Sequence, residues 1–428
     1  MKLGRWKVLG LAGVLALGYV SQAKAFHVKV DEDTFADIYL NMKVWYKNYD
    51  QKAKDYVNST IGDWRRNSFE VEEAQINFMG QVNKLVQFYG EYDQDQKNYS
   101  LNELGINFAF AKEFQVLAGL IRNSFTRADL SSSYNRIVPT KPFLDPQNAM
   151  LFNIFEHDGN THYGAMVHGD LFGGMFTYRV GIYNNKFRAK QDKDFVWNAR
   201  VEFQPLMLGF KPESAATPYA KVKDTYLGKK DVLTIGLGYF SAKERKSYWN
   251  EKWNDNWKDL KDWIEKRNIT IPSYSDKLKR KDRDVDGWTV DFMFEKKFGD
   301  IVPNLQAGYV SLSDTHLNPI TYKSEDSDGW YVQGQLLYDQ VVGFGKPAIA
   351  VRFNTSTHEN AYNINNRAKD AKLDRWGVAL NYYIKEQDAK VVLGFDYLKY
   401  RDGAKDYLKN IRFEDSLTDW YLLMQVKF

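Results

Sequence analysis

Cysteine is absent from this 428-residue chain, so disulfide bonds and thiolate metal ligands play no part in its structure. Histidine is scarce, and the six histidines are scattered along the chain. No G-x-S-x-G, H-E-x-x-H or glycine-rich phosphate-binding motif accompanies them. The sequence therefore does not predict a nucleophile with its base, or a metal site. We expect a protein that is not an enzyme and that needs no cofactor or metal.

Long apolar runs are also missing. Residues 26–428 contain no run of ~18 apolar residues, the length that a membrane-spanning helix requires. The apolar run at 8–20 is shorter, follows a basic start and precedes Ala23-Lys24-Ala25. This arrangement is typical of a secretory signal peptide with its cleavage site. We expect residues 1–25 to be removed and residues 26–428 to form a single domain.

An excess of charge of one sign is the third absence. The formal net charge is +4, but Lys2, Arg5, Lys7 and Lys24 account for all of it and lie within the expected signal peptide. The remaining chain is therefore close to neutral. A basic surface that binds nucleic acid is not expected from such a chain.

Aromatic residues are abundant instead, at 16% of the chain, and many of them lie in period-two patterns. The last ten residues, from Asp419 to Phe428, show the pattern clearly. Their apolar face consists of Trp420, Leu422, Met424, Val426 and Phe428. About ten residues suffice for a tilted strand to cross a bilayer. This segment predicts the closing strand of an outer-membrane barrel, although on its own it also fits the last strand of a soluble β-sandwich.

The same alternation recurs throughout the chain and predicts about sixteen strands. The candidate strands lie near 37–49, 74–80, 86–92, 104–110, from 114 onward, 163–171, 175–183, 195–205, 232–241, 287–298, 303–313, 330–338, 345–354, 375–384, 389–400 and 419–428. An even number of strands suits a barrel whose two termini lie on the same side of the membrane. The sequence therefore predicts an all-β protein, an antiparallel transmembrane β-barrel.

The predicted connections alternate in length. Short turns are expected near 83–84, 111–113, 171–174, 299–302 and 385–388, and loops near 94–99, 123–162, 184–194, 242–286, 314–328, 355–374 and 401–418. Short periplasmic turns opposite long external loops are typical of outer-membrane barrels, whereas a sandwich gives no reason for this alternation. The connection 206–231 is an exception, because it is long on the side where turns should be short.

One region carries a resemblance to a known family. The segment Thr161–Gly174, with Tyr178–Asn184 after it, resembles the central signature of the phosphate-selective porin O and P family. Further matching pieces occur in order at 199–205, 228–236, 377–383 and 423–428. The resemblance implies a homotrimeric porin in the outer membrane of a Gram-negative-type bacterium, in contact with lipid and conducting small anions such as phosphate.

The loop 123–162 lies where sixteen-stranded porins fold a loop inward, so its cations are expected to line a constriction and attract anions. A solvated loop with both signs of charge is the alternative. We place Arg122 inward, because an arginine facing lipid at mid-membrane depth costs ~2–4 kcal/mol. That phase sends Leu117, Gly119 and Ile121 outward. The predicted pore-lining and anion-binding residues are Arg122, Arg127, Arg136, Lys141, Arg179, Arg200, Arg352 and Lys43.

Acidic residues share the predicted inner face, among them Glu202, Asp291 and Asp396. Anion preference is therefore implied by the resemblance and not by the count of charges. We expect a passive, anion-preferring channel for phosphate-like solutes. A non-specific or cation-preferring porin is one alternative, and a non-conducting barrel for adhesion or envelope anchoring is another. The second is supported by an aromatic stripe at helical spacing in the loop 242–286.

Overall fold

The architecture comes from a computed structural model, which describes residues 26–51, 64–95, 98–142, 161–184, 195–214, 222–244, 283–318, 323–365, 367–410 and 414–428. The signal peptide expected at 1–25 and the aromatic stripe of loop 242–286 lie outside these residues. In the part described, no helix is long and apolar enough to cross a membrane.

Strands dominate the described residues, and two α-helices accompany them. The strands are β1 (Phe26–Lys29), β2 (Phe35–Gln51), β3 (Trp64–Gln81), β4 (Val86–Asp95), β5 (Asn98–Ala109), β6 (Gln115–Arg122), β7 (Thr161–Leu171), β8 (Phe176–Asn184), β9 (Phe195–Phe203), β10 (Val232–Glu244), β11 (Arg283–Glu295), β12 (Ile301–Leu317), β13 (Ser324–Tyr338), β14 (Lys346–Ile364), β15 (Arg367–Lys385), β16 (Ala389–Arg401) and β17 (Ser416–Lys427). The helices are α1 (Arg127–Leu130) and α2 (Asp402–Asn410). Short 3-10 turns lie at Ser133–Asn135, Phe172–Gly174 and Leu206–Leu208.

Strands β2 to β17 form one closed antiparallel barrel of sixteen strands. Each strand pairs with the next, and β17 closes the sheet on β2. At this seam Phe428 exchanges two backbone hydrogen bonds with Leu40, at 2.7 and 2.9 Å. The short strand β1 pairs with β2 outside the barrel count. The predictions of a sixteen-stranded antiparallel barrel and of a closing C-terminal strand are confirmed.

Alternation separates an outer apolar face from an inner polar face. Ile76 and Trp420 point outward and are 47% and 53% exposed, whereas the neighbouring Asn77 and Asp419 are 4% and 1% exposed. An apolar outer face and a polar lumen are what a barrel in lipid requires, since lipid cannot hydrate polar side chains. The period-two pattern therefore predicts correctly which residues of these strands face outward and which face the lumen.

The two ends of the barrel differ in their connections. At one end, called the short-turn end below, the turns are 82–85, 110–114, 172–175, 296–300, 339–345 and 386–388. The connection between β9 and β10, residues 204–231, is the long exception at this end. At the opposite end the prediction of a loop at 355–374 is wrong, because β14 continues to Ile364 and β15 begins at Arg367. Their extension is stabilised by Leu373, which packs with Leu408 of α2 in a buried apolar cluster.

Candidate functional site

The residues that follow β6 cross the lumen, and we call 123–142 the inserted segment. The backbone carbonyl of Tyr134 accepts a hydrogen bond from Gln425 Nε2 of β17 at 3.0 Å, and that of Ile137 accepts one from Asn381 Nδ2 of β15 at 2.9 Å. These side chains belong to inner faces across the barrel from β6. The segment therefore occupies the interior and contacts the opposite wall.

Local capping gives the inserted segment a defined start. Thr126 Oγ1 accepts a hydrogen bond from the Asp129 backbone N–H at 3.1 Å, and the Asp129 carboxylate accepts one from the Thr126 backbone N–H at 3.3 Å. This reciprocal capping box satisfies donors at the start of α1 that would otherwise be unpaired. Lys141 Nζ donates to Asp129 at 2.7 Å and thus connects both ends of the segment. Lys141 is buried in this ion pair.

An apolar patch on the inner wall anchors the same segment. Phe125 is buried within a cluster that includes Leu117, Ile121 and Phe240, and its ring lies 5.5 Å from that of Phe240. The wall comes close enough that a Cβ at Gly238 would lie 2.3 Å from the Phe125 carbonyl oxygen. The prediction that Leu117 and Ile121 face outward is wrong. Apolar side chains face inward here because the inserted segment covers them and keeps them from water.

The long connection 204–231 enters the lumen from the short-turn end and meets the inserted segment. Arg127 donates two hydrogen bonds to the carboxylate of Glu213, both at 2.8 Å, and a third to the Lys223 carbonyl at 2.9 Å. Ser131 donates to Asp224 at 2.6 Å. Burial would raise the pKa of Glu213, but the Arg127 guanidinium outweighs burial and holds that pKa below its usual value. The exceptional length of this connection thus has a structural role inside the barrel.

Three arginines on this side of the lumen are fully matched by carboxylates, and we call the group the paired wall. Arg127 binds Glu213, Arg179 binds Glu202 at 2.8 Å, and Arg200 binds Asp291 through two bonds of 2.7 Å. The members of the paired wall are Arg127, Arg179, Arg200, Glu202, Glu213 and Asp291. All are buried. Their charges cancel within hydrogen-bond distance, so little field remains for a passing ion.

Around Tyr134, basic side chains are not matched one to one by carboxylates. We call Lys43, Arg136 and Lys390, which lie there, the cation cluster. Lys43 Nζ lies 4.3 Å from the centre of the Tyr134 ring and pairs with Glu73 at 3.0 Å. Lys390 Nζ donates to the backbone carbonyls of Tyr134 and Arg136, at 3.2 and 2.9 Å. Within the described part of the chain, Glu73 is the carboxylate that pairs with this cluster.

The guanidinium of Arg136 forms no ion pair among the described residues. Among the described residues, its guanidinium makes one long contact, 3.5 Å to the Pro139 carbonyl. Burial lowers the pKa of Arg136 from its usual value, and the carboxylates of Glu73, Asp224 and Glu72 offset this only in part. Arginine nevertheless stays charged in proteins. Among the described residues, the cluster thus holds three basic side chains and one carboxylate in an ion pair with them.

The remaining predicted cations are also paired inside the barrel. Arg122 donates through Nε to Glu103 at 3.0 Å and through Nη1 to the Asp129 carbonyl at 2.9 Å. Arg352 is held by Thr140 of the inserted segment and lies 3.7 Å from Asp396. Each predicted site residue thus lies in the lumen or on the inserted segment. The structure distributes them over several ion pairs rather than one constriction ring.

Sequence reasoning missed several residues of this interior. Lys390 and Arg375 are both buried and inward, and Arg375 donates to Asp396 at 2.6 Å. The alternation of β16 could have predicted Lys390. It lies an even number of positions from Asp396, which was predicted to face inward, so both side chains point to the same side of the strand. Glu213 and Asp224 carried no comparable signal, because they lie in a connection without periodicity. In the described residues no group of three or more His, Asp or Glu side chains could hold a metal ion.

Comparison with known proteins identifies the fold. No family model matches the chain, and no curated protein matches its sequence. Among solved structures, OmpT of Vibrio cholerae in its trimer form is similar, with 10% identity and a TM-score of 0.50 over 93% of this chain and 100% of OmpT. An anion-selective porin from Comamonas acidovorans is also similar, with 10% identity and a TM-score of 0.51 over 92% of this chain and 100% of the porin.

At this level of identity the likeness concerns architecture. The chain has the closed sixteen-stranded barrel of outer-membrane porins, with a segment inserted into its lumen. The narrower resemblance to phosphate-selective porins O and P stays a hypothesis.

Proposed function

We propose that this chain is an outer-membrane porin, a passive diffusion channel that prefers small, phosphate-like anions. The single observation that carries the proposal is the cation cluster. It places the basic side chains of Lys43, Arg136 and Lys390 around Tyr134, and among the described residues Glu73 is the carboxylate that forms an ion pair with them. Cations that exceed their carboxylates raise the local concentration of anions and partly replace the hydration shell that an anion loses in a narrow passage.

The expected contribution of individual residues follows from their pairing. Arg136 and Lys390 hold charge that no carboxylate ion pair cancels among the described residues, so they should dominate selectivity. Arg122, Arg127, Lys141, Arg179, Arg200 and Arg352 act mainly by holding the lumen in shape. Lys43 should have an intermediate effect on selectivity, because it belongs to the cluster and also pairs with Glu73.

The test is single-channel recording on purified protein in planar bilayers. In a potassium chloride gradient the reversal potential should have the sign of an anion-selective pore. Inorganic phosphate added at low concentration should reduce the chloride current. A pore that prefers potassium over chloride would refute the anion preference and support a general or cation-preferring porin.

A non-conducting barrel is the second candidate, and a specific observation favours it. Arg127 of the inserted segment and Arg200 of the inner wall are 1% and 0% exposed, because the long connection covers the first and the inserted segment covers the second. A lumen filled by these segments fits a barrel used for adhesion or anchoring. Absence of current from correctly inserted protein would select this candidate over the channel.

Assembly and targeting belong to the same proposal. We expect cleavage after residue 25, insertion among outer-membrane lipids and assembly as a homotrimer. The trimer form of OmpT supports the last point by analogy of fold. Chemical cross-linking of intact outer membranes should give a band at three times the monomer mass. A band at monomer mass alone would contradict the trimer.

A further inference from the structure

A cavity of about 360 Å³ with both polar and apolar lining lies between the barrel wall and the two segments in the lumen. Its lining combines residues of β2, β3 and β4 with the inserted segment, the long connection and the short turn at 386–388. The volume lies at the lower end of the ~300–1,000 Å³ range of small-molecule sites. A solute as small as a sugar fits such a space.

The charges that line the cavity balance. Lys223, Lys229 and Lys427 face Glu91, Glu386 and Asp388, and Lys229 pairs with Glu386. The cation cluster supplies no lining residue. The cavity therefore favours neither an anion nor a cation, which distinguishes it from the cluster.

Four polar side-chain atoms of the lining have no hydrogen-bond partner among the described residues. They are Asn41 Oδ1, Asn77 Nδ2, Tyr134 Oη and Gln387 Nε2. Asn41, Asn77 and Tyr134 are 7%, 4% and 5% exposed. Buried polar groups without partners are costly, and each of them calls for an explanation such as a bound molecule.

The chemistry of these four atoms narrows the class of ligand. Asn41 Oδ1 only accepts, since Asn41 Nδ2 already donates to Gln75 Oε1 at 3.1 Å. Gln75 is fixed in turn, because its Nε2 donates to Glu91 at 3.2 Å and to Asp93 at 3.3 Å. Asn77 Nδ2 and Gln387 Nε2 only donate, whereas the hydroxyl of Tyr134 does both.

An ion that offers acceptors only, such as sulfate, would satisfy the donors and leave the acceptor Asn41 Oδ1 unpaired. An ammonium group would do the reverse. Hydroxyl groups donate and accept, so a molecule with several of them can satisfy all four atoms. Tyrosine rings complete the match, because Tyr39, Tyr89, Tyr134 and Tyr226 line the same cavity. Their faces supply apolar area beside a polar edge, which suits the ring of a sugar.

We propose that this cavity binds a small neutral hydroxylated solute, of the size of a monosaccharide or disaccharide. The site is separate from the anion preference proposed above, because it depends on uncharged hydrogen-bonding groups. Tyr134 contributes to both features, with its hydroxyl to the cavity and its ring and carbonyl to the cation cluster.

The experiment is isothermal titration calorimetry of the purified full-length barrel in detergent, with glucose and sucrose as probes and inorganic phosphate for comparison. Tyr134→Phe removes a hydroxyl that has no hydrogen-bond partner among the described residues, so the fold should survive. Tyr421→Phe is the matched control. Its hydroxyl is likewise buried without a partner among the described residues, but it does not line the cavity.

The expected result is saturable binding of at least one sugar. Its Kd should rise about threefold to tenfold in Tyr134→Phe, the effect of one lost hydrogen bond, and should not change in Tyr421→Phe. Absence of saturable sugar binding would overturn the proposal, and so would equal affinity of Tyr134→Phe and the unmodified protein. Binding in detergent needs no ion current, so failure here and failure of the channel proposal are distinguishable.

Discussion

The paired wall and the cation cluster occupy the same lumen but treat charge differently. In the paired wall, Arg200 and Asp291 meet through two bonds of 2.7 Å, and Arg127 and Glu213 through two of 2.8 Å. In the cation cluster, Lys390 donates to backbone carbonyls, and Arg136 makes a single long contact within the described part of the chain. Buried arginines are therefore not equivalent evidence for an anion site. The carboxylate beside each one decides whether it supports the fold or acts on a passing ion.

The largest expected effect comes from breaking the paired wall. Glu213→Gln leaves Arg127 buried without its counter-charge, and removing one partner of a buried pair typically costs about 3–5 kcal/mol. We expect the free energy of unfolding to fall by that amount in urea titrations of refolded protein. Glu386→Gln, which breaks an exposed pair with Lys229, should change stability little.

Removal of both partners sharpens the same comparison. Arg127→Gln combined with Glu213→Gln leaves no uncompensated charge, so most of the lost stability should return. If the double variant is as unstable as Glu213→Gln, the loss does not come from the unpaired arginine. The assignment of the paired wall as a structural element would then be wrong.

The next largest effect is expected at acidic pH, which should weaken the contact between the inserted segment and the long connection. The pKa values of Glu213 and Asp129 are held below their usual values, in each case because a neighbouring cation outweighs burial. Carboxylates with lowered pKa values stabilise the folded state above their unfolded pKa values and lose this effect as pH falls through the folded ones. The stability that these two carboxylates contribute should stay constant from neutral pH to about pH 5 and fall below about pH 4.

The pH profile of Glu213→Gln provides the control, since this variant no longer has one of the titrating groups. Its stability should depend less on pH below about pH 4 than that of the unmodified protein. A difference between the two pH profiles that begins near neutral pH would contradict the assignment, because a carboxylate with a lowered pKa does not titrate there.

The smallest effect is expected at the cap of α1. Thr126→Ala removes the oxygen that accepts from the Asp129 backbone N–H, and loss of such a cap costs about 1 kcal/mol. The change should lower the midpoint of unfolding slightly and leave the sign of the reversal potential unchanged. Thr126→Ser keeps the hydroxyl and should match the unmodified protein. A change in ion selectivity in Thr126→Ala would show that the cap also shapes the pore.

Much of the barrel follows from the sequence by a simple rule. Strands that alternate apolar and polar residues must place the apolar set toward lipid, and the inward positions of Lys43, Arg179, Arg200 and Arg352 follow from that phase. The rule fails at Leu117 and Ile121. Period two separates two faces of a strand but does not say what covers each face. An apolar inner patch under the inserted segment gives the same pattern as a face toward lipid.

The pairing of charges was beyond the sequence for a related reason. Arg200 and Asp291 lie 91 positions apart and meet because β10 sets the register between β9 and β11. Glu213 reaches Arg127 from a connection that has no periodic pattern. The residues of the lumen could therefore be predicted from strand phase, but not the carboxylate that neutralises each cation.

The most direct test of the difference between the two regions is the reversal potential of two double variants in a potassium chloride gradient. Arg136→Gln with Lys390→Gln removes charge that is not balanced by an ion pair, whereas Arg127→Gln with Glu213→Gln removes a matched pair and leaves the net charge unchanged. The account predicts a shift toward cation preference in the first and no shift in the second. Equal reversal potentials in both variants would contradict it.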